Sequence, residues 1–485
     1  MQKIADINYA VALQQWDQET YMPPASAETR GRQMATLSTL AHEMFTSKEM
    51  GELLQTLASD DSLPFVRKRN VILSLEDYQR LTKIPAQFVH ELSEATQKSF
   101  HAWIQARKEN SFAVFEPFLQ KLIDLKIQET ELLGYSDHPY DALLNDYDRG
   151  LTVQETDRIF AGLKPELQQL YNRILSKPAP ENRFLHQYFE KQKQWDFGIE
   201  ILKKMGYDFN AGRQDISEHP FTTQFSSQDV RITTRIDEHD FANMLWSCIH
   251  EGGHALYEQG LPAEAYGLPA GEYCSLSIHE SQSRLWENNI GRGKAFWKNI
   301  SLKSTFPEQF GGVSENDFYA AINRVQPSLI RTEADELSYH FHVMIRYDLE
   351  KKLIEKQIRA KDIPAMWNES YAANLNIKVP DDKQGCLQDV HWSHGSFGYF
   401  ATYSLGSLYA AQLYHRMKQD IPALEDYISN QNLQPVQTWL QQHIYKFGRL
   451  YPSGELCKMA TGETLNAQYF LNYVSDKYGE IYAFD

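Results

Sequence analysis

"DEHDFANMLWSCIHEGGHALYEQG", residues 237–260, sets two histidines four places apart inside an apolar stretch. Asp237 or Asp240 can cap its start, and Gly260 followed by Pro262 ends it, so the pattern predicts a single helix. A helix turns about 100° per residue, and residues four apart project side by side, about 6 Å apart along the axis. His250 and His254 can therefore both offer a ring nitrogen to one metal ion, at ~2.0–2.1 Å for zinc. Glu251 is rotated about 100° from His250, poorly placed to ligate and well placed to reach a water held on the metal. The spacing is that of the H-E-x-x-H zinc peptidases. A solvated helix face is the bland alternative. Phe241, Met244, Leu245, Ile249 and Leu256 weigh against it, because two histidines and a glutamate buried among them without a metal would be hard to satisfy.

A catalytic zinc needs a third protein ligand and an open position. A metzincin would carry glycine three and histidine six residues past His254, where this chain has Tyr257 and Gly260. The next helical stretch, "SIHESQSRLWENNIG" (277–291), offers Glu280 after a Pro/Gly-containing loop long enough for the chain to turn. Two other readings compete. Ser277 and Glu280 also spell an S-x-x-E capping box, and His279 is a rival ligand. Glu280 is preferred because it completes a His, His, Glu set.

Around this core most of the chain reads as helix. Apolar residues recur at helical spacing in 26–45, 112–135, 160–175, 183–207 and 332–358. The one good strand signal is "DVRITTRI" (229–236), rich in β-branched residues. Irregular segments are few: 176–182, 210–229, 261–275 and 379–398, the last three flanking or following the histidines, where function tends to sit. No internal repeat and no linker divides the chain, so the expected architecture is one mainly helical unit over residues 1–485.

Composition bounds the function. A net charge of -16 argues against a nucleic-acid partner. The first twenty residues have no signal-type apolar run. The most apolar later stretch, "YFATYSLGSLYAAQLY" (399–414), is too short and too polar to span a bilayer. Four scattered cysteines show no zinc-ribbon or disulfide spacing, so reduced thiols in a cytoplasmic protein are expected.

Taken together these residues resemble the thermostable carboxypeptidase family of HEXXH-type metallocarboxypeptidases, the Taq carboxypeptidase kind. The resemblance includes "WDQETYMPP" near the start, "HPFT" (219–222), "DVRITT" (229–234), "HEGGH" (250–254) and "HESQSR" (279–284). It continues through "IRTEAD" (330–335), "QDVHWSHGSFGYF" (388–400) and "GETLNAQYFLNYVSDKY" near the end. It implies a mostly helical fold of the neurolysin and angiotensin-converting-enzyme type with a small β element. Two sub-lobes would flank a deep cleft with zinc at its floor, and the protein would be a homodimer. It also implies His250, His254 and Glu280 as metal ligands and Glu251 as the catalytic glutamate. Arg331 and Arg231 become candidates for the substrate's terminal carboxylate, and His391 and Tyr403 for steadying the oxyanion, with His394 and Tyr399 close enough in sequence to be confused with them. The bland reading of Arg331 is a helical ion pair with Glu333 or Asp335.

The expected activity is zinc-dependent release of single C-terminal residues from peptides, with broad specificity and with cobalt able to replace zinc. An endo-acting oligopeptidase on the same scaffold is the alternative. A non-catalytic protein with a structural zinc is disfavoured, because a closed site has no need of a base beside the metal.

Overall fold

The computed structural model describes residues 1–300 and 302–484. It is mainly helical, with one three-stranded sheet. The chain forms two compact units, each assembled from three separate stretches. Residues 1–79, 180–322 and 409–465 make the first, and 80–179, 323–408 and 466–485 make the second.

The first unit carries the sheet, in the order β1 (Gly212–Ile216), β3 (Asp229–Thr234), β2 (Thr222–Ser226). β3 is central. It pairs in parallel with β1 and antiparallel with β2, so that Thr222 faces Ile232 and Thr223 faces Arg231. Val230 and Ile232 point inward and are fully buried, as alternating β-branched residues should be. β1 and β2 both lie inside 210–229, which reads as irregular from sequence. The segment is polar and lacks alternation, and its strands exist because β3 supplies their hydrogen-bond partners.

Against β3 packs the ligand helix, Phe241–Gln259. Asp240, not Asp237, is its N-cap, its carboxylate accepting from the Ala242 N–H at 3.1 Å. Phe241 anchors its start among Phe189, Phe197, Phe306 and Phe310, with ring centroids 4.9, 5.8, 5.2 and 5.2 Å away. Burying each ring contributes roughly 1.5–3 kcal/mol. This cluster also interrupts the helix expected over 183–207. A 3-10 turn (Arg183–His186) gives way before Lys191–Met205, because Phe189 turns inward and its N–H bonds to the Glu238 carbonyl at 2.8 Å.

Two adjacent glycines let neighbours close onto the ligand helix. A Cβ on Gly252 would stand 2.7 Å from Leu202 Cδ2, on the Lys191–Met205 helix. A Cβ on Gly253 would stand 2.7 Å from Ser283 Cα and 2.8 Å from the Gln282 carbonyl oxygen. Gly253 thus sets the approach of the next helix, Leu276–Arg284, backbone against backbone. That helix passes directly into a π-helical turn, Leu285–Gly291.

The second unit is built from long helices, among them Ala86–Glu109, Phe112–Leu133, Val153–Leu175 and Ser338–Ile354. The last starts later than the expected 332, because the Asp335 carboxylate takes the Leu337 and Ser338 N–H groups, both at 2.9 Å. No helix among the described residues is long and apolar enough to cross a membrane.

Candidate metal centre

Within the first unit, His250, His254 and Glu280 bring three ligand atoms within 4.8 Å of one another. Glu280 Oε2 lies 3.8 Å from His250 Nε2 and 3.5 Å from His254 Nε2. Ligands tetrahedrally arranged around zinc at about 2.0–2.1 Å sit ~3.3 Å apart. The donor set therefore fits a divalent ion with slight contraction. The imidazole planes stand at 84° with centroids 4.9 Å apart, so the two nitrogens converge from different directions.

Ser275 is the N-cap of the Leu276–Arg284 helix, accepting from the Ile278 N–H at 3.1 Å. Ser277 is already the second residue of the helix, so the Ser277–Glu280 capping box does not form. Glu280, Arg284 and Glu287 follow at i, i+4 and i+7, one stripe of the helical surface. Arg284 bridges the two acids, its Nε donating to Glu280 Oε1 at 2.6 Å and a terminal nitrogen to Glu287 Oε2 at 3.3 Å. Arg292 adds a donor to Glu287 Oε1 at 3.0 Å. Glu287 in turn holds His250 Nδ1 at 2.9 Å, which leaves Nε2 for the ion.

Electrostatics agree with this division of roles except at His250. There burial favours the neutral ring, but the Glu280 and Glu287 carboxylates outweigh it and raise the pKa, a charge that a bound cation would displace. Burial raises the pKa of Glu280 and Glu287, but Arg284 and the neighbouring histidines outweigh it and hold both below the usual carboxylate range. Burial and then His279 push His254 down to about 3, so its ring is neutral, as a ligand must be. Glu251 goes the other way. It is buried, and burial raises its pKa. It stays off the ligand set, and the Thr222 hydroxyl, at the start of β2, stands 2.6 Å from its Oε2. His279, the rival ligand, is turned away from the three donors and meets the far nitrogen of His254.

Arg231 lies on β3, paired through Nε and a terminal nitrogen with Asp229 at 2.9 Å each, and its guanidinium covers Trp16. The remaining expected residues belong to the second unit, where they form a cluster of their own. Arg331 does not pair with Glu333 or Asp335. Its Nε and a terminal nitrogen hold Asp389 Oδ1 at 2.9 and 2.8 Å, while Arg346 holds Asp389 Oδ2. Two guanidiniums thus share one carboxylate. Burial would raise the pKa of Asp389, yet these two cations hold it far below the usual range. The Tyr403 ring packs under Arg331 at 4.9 Å, and His391 Nε2 lies 3.3 Å from Tyr403 Oη. Tyr399 touches the His391 and Tyr403 rings at 5.2 and 5.1 Å. His394 stands apart from this contact set, against Phe100.

Sequence reasoning missed Thr222, Glu287, Arg346 and Asp389. Glu287 had a signal, a second acid seven residues past Glu280. Asp389 and Arg346 had none that is local.

A candidate metal-binding triad with an adjacent glutamate on a helix has the pattern of a metallopeptidase site. The chain matches the family described as Carboxypeptidase Taq (M32) metallopeptidase over residues 1–478, and it belongs to that family. It is 38% identical to Carboxypeptidase 1 of Bacillus subtilis (strain 168), across 99% of this chain and 97% of that protein. A solved structure of the M32 carboxypeptidase from Deinococcus radiodurans R1 is 40% identical, with a TM-score of 0.97 over 100% of this chain and 98% of the other. Another, described as the structure of CHT, is 56% identical, with a TM-score of 0.96 over 99% and 97%. The protein is a metallocarboxypeptidase that takes peptide substrates and a divalent metal.

Proposed function

We propose that the protein is a zinc carboxypeptidase that cuts the C-terminal peptide bond and releases single amino acids with broad specificity. The observation that carries this reading is the convergence of His250, His254 and Glu280 beside a buried, non-ligating Glu251. His250, His254 and Glu280 would hold the ion, which would serve as a Lewis acid and make a water acidic enough to attack at neutral pH. Glu251 takes the proton from that water and returns it to the departing amine, and its raised affinity for a proton suits both steps. Thr222 orients the Glu251 carboxylate by donating to it. Arg331 receives the substrate's free carboxylate, with Arg231 as a second contact. What supports Arg331 is charge: two buried guanidiniums against the single Asp389 leave one positive charge over, which an anion would balance. Tyr403 donates to the carbonyl oxygen as negative charge grows there, and the hydrogen bond with His391 fixes its hydroxyl. Cobalt replaces zinc with the same nitrogen and oxygen donors. Residues 1–485 act as one catalytic domain, in a cytoplasmic homodimer.

Hydrolysis of an N-blocked dipeptide after exhaustive chelation, then after adding back Zn2+ or Co2+, tests the core of this reading. Loss and return of activity is the expected result. Full activity in protein shown to be metal-free by elemental analysis would overturn it.

A further inference from the structure

His254 Nδ1 and His279 Nδ1 stand 2.6 Å apart. The other nitrogen of His279, Nε2, stands 2.7 Å from Glu258 Oε1. Two imidazole nitrogens this close require one proton between them, since two lone pairs or two N–H groups facing each other repel. The rest follows from the ends of the chain. His254 Nε2 is one of the three converging donor atoms, 3.5 Å from Glu280 Oε2, and as a metal ligand it gives its lone pair there, so its proton sits on Nδ1 and points at His279. His279 must then accept at Nδ1 and carry its own proton on Nε2, where a carboxylate oxygen of Glu258 receives it. One set of tautomers satisfies all three groups.

Glu258 is an odd residue to bury for structural reasons. It is 2% exposed, and among the described residues its ion-pair partner is His279 alone, with no lysine or arginine. A carboxylate buried on those terms costs several kcal/mol unless something nearby repays it. Glu287, which serves His250, has Arg284 and Arg292 to balance it. The His279 ring is also fixed in its plane, packed by Tyr257 and Tyr273 at centroid distances of 5.5 and 4.8 Å.

We propose that Glu258 and His279 are positioning residues forming a two-step relay, Glu258 to His279 to His254, that fixes the tautomer and ring orientation of His254 and makes its Nε2 a stronger metal donor. The two histidine ligands are thus supported differently, His250 by a carboxylate directly and His254 by a carboxylate acting through an imidazole. This rests on the reading of His254 as a metal ligand.

The test uses full-length protein with Zn2+ as the probe. Zinc dissociation constants are measured by competition with a chelator for the parent, Glu258→Gln, His279→Phe, the double variant and His279→Gln. The thermal midpoint of each metal-free protein is measured alongside. Loss of either residue is expected to weaken zinc binding roughly 10–100-fold. The double variant should be no weaker than His279→Phe, because Glu258 acts only through His279. His279→Gln keeps an acceptor and a donor and should recover most of the loss. Long-range 1H–15N spectra of histidine-labelled, zinc-loaded parent should show His254 protonated at Nδ1. Zinc affinity within twofold of the parent in both single variants, multiplying losses in the double variant, or an Nε2-protonated His254 would each overturn the relay. His254→Ala separates the two layers: if it held zinc as tightly as the parent, the metal site itself would be misassigned.

Discussion

Thr222 Oγ1 lies 2.6 Å from Glu251 Oε2, so an edge strand of the sheet holds the one carboxylate that the metal set leaves out. Removing that hydroxyl should misorient the base without touching the ligands. Thr222→Val is expected to lower kcat about tenfold with zinc content unchanged, the loss of one hydrogen bond to a charged group. Glu251→Gln should also keep zinc and lose several orders of magnitude. Steady-state kinetics with metal analysis on both variants decide. Zinc loss in either would mean that Glu251 is a ligand after all.

Gly253 makes a sharper structural case. Gly253→Ala drives a Cβ into the Ser283 backbone, which cannot rotate away as a side chain could. The helix carrying Glu280 must shift, so stability should fall by about 1–3 kcal/mol and zinc affinity should fall with it. Gly162, exposed in the Val153–Leu175 helix with open space around it, is the control. Gly162→Ala should stabilise by roughly 0.5–1 kcal/mol. Urea unfolding of both, with chelator competition, would expose the error if Gly253→Ala behaved like the control.

A pH effect follows from Glu350, fully buried in the Ser338–Ile354 helix. Burial pushes its pKa up to about 7, against donations from the Gly398 N–H, the Tyr140 hydroxyl and the Trp392 indole. The folded form therefore holds a proton between about pH 4.5 and 7 that the unfolded chain lacks. That contribution, up to about 3 kcal/mol, is complete below pH 4.5 and is lost as pH rises through 7. Glu350→Gln mimics the protonated acid and should flatten this part of the stability profile. Parallel profiles for parent and variant between pH 5 and 8 would refute the assignment.

Arg331→Ala should cut kcat/KM by roughly tenfold to several hundredfold, at 1.4 kcal/mol per factor of ten. It should also erase most of the preference for a free C-terminus over an amide. Zinc content should not change. The comparison is made with matched acid and amide peptides on Arg331→Ala and Arg231→Ala. Retention of the preference in both would remove arginine from the account of exopeptidase action.

What could be read in the sequence was what is local. The helix carrying His250 and His254 announces itself through a cap, a stop and an i, i+4 histidine pair, and counting three ligands points to Glu280, which the fold brings beside them. β1 and β2 were invisible because their strand character comes from β3 rather than from their own alternation. Arg331 finds Asp389 fifty-eight positions away, and no periodicity connects them. The Glu258–His279–His254 contacts depend on how closely two helices cross, which Gly253 permits but cannot announce.

The interleaving of the two units bears on how the protein is made. The first unit needs residues 409–465 and the second needs 466–485, so each takes its last segment from the final part of the chain. A ribosome must therefore deliver residues 409–465 before the first unit can close and residues 466–485 before the second can. Until then His250, His254 and Glu280 have emerged together, and the nascent chain can meet metal before its fold is complete.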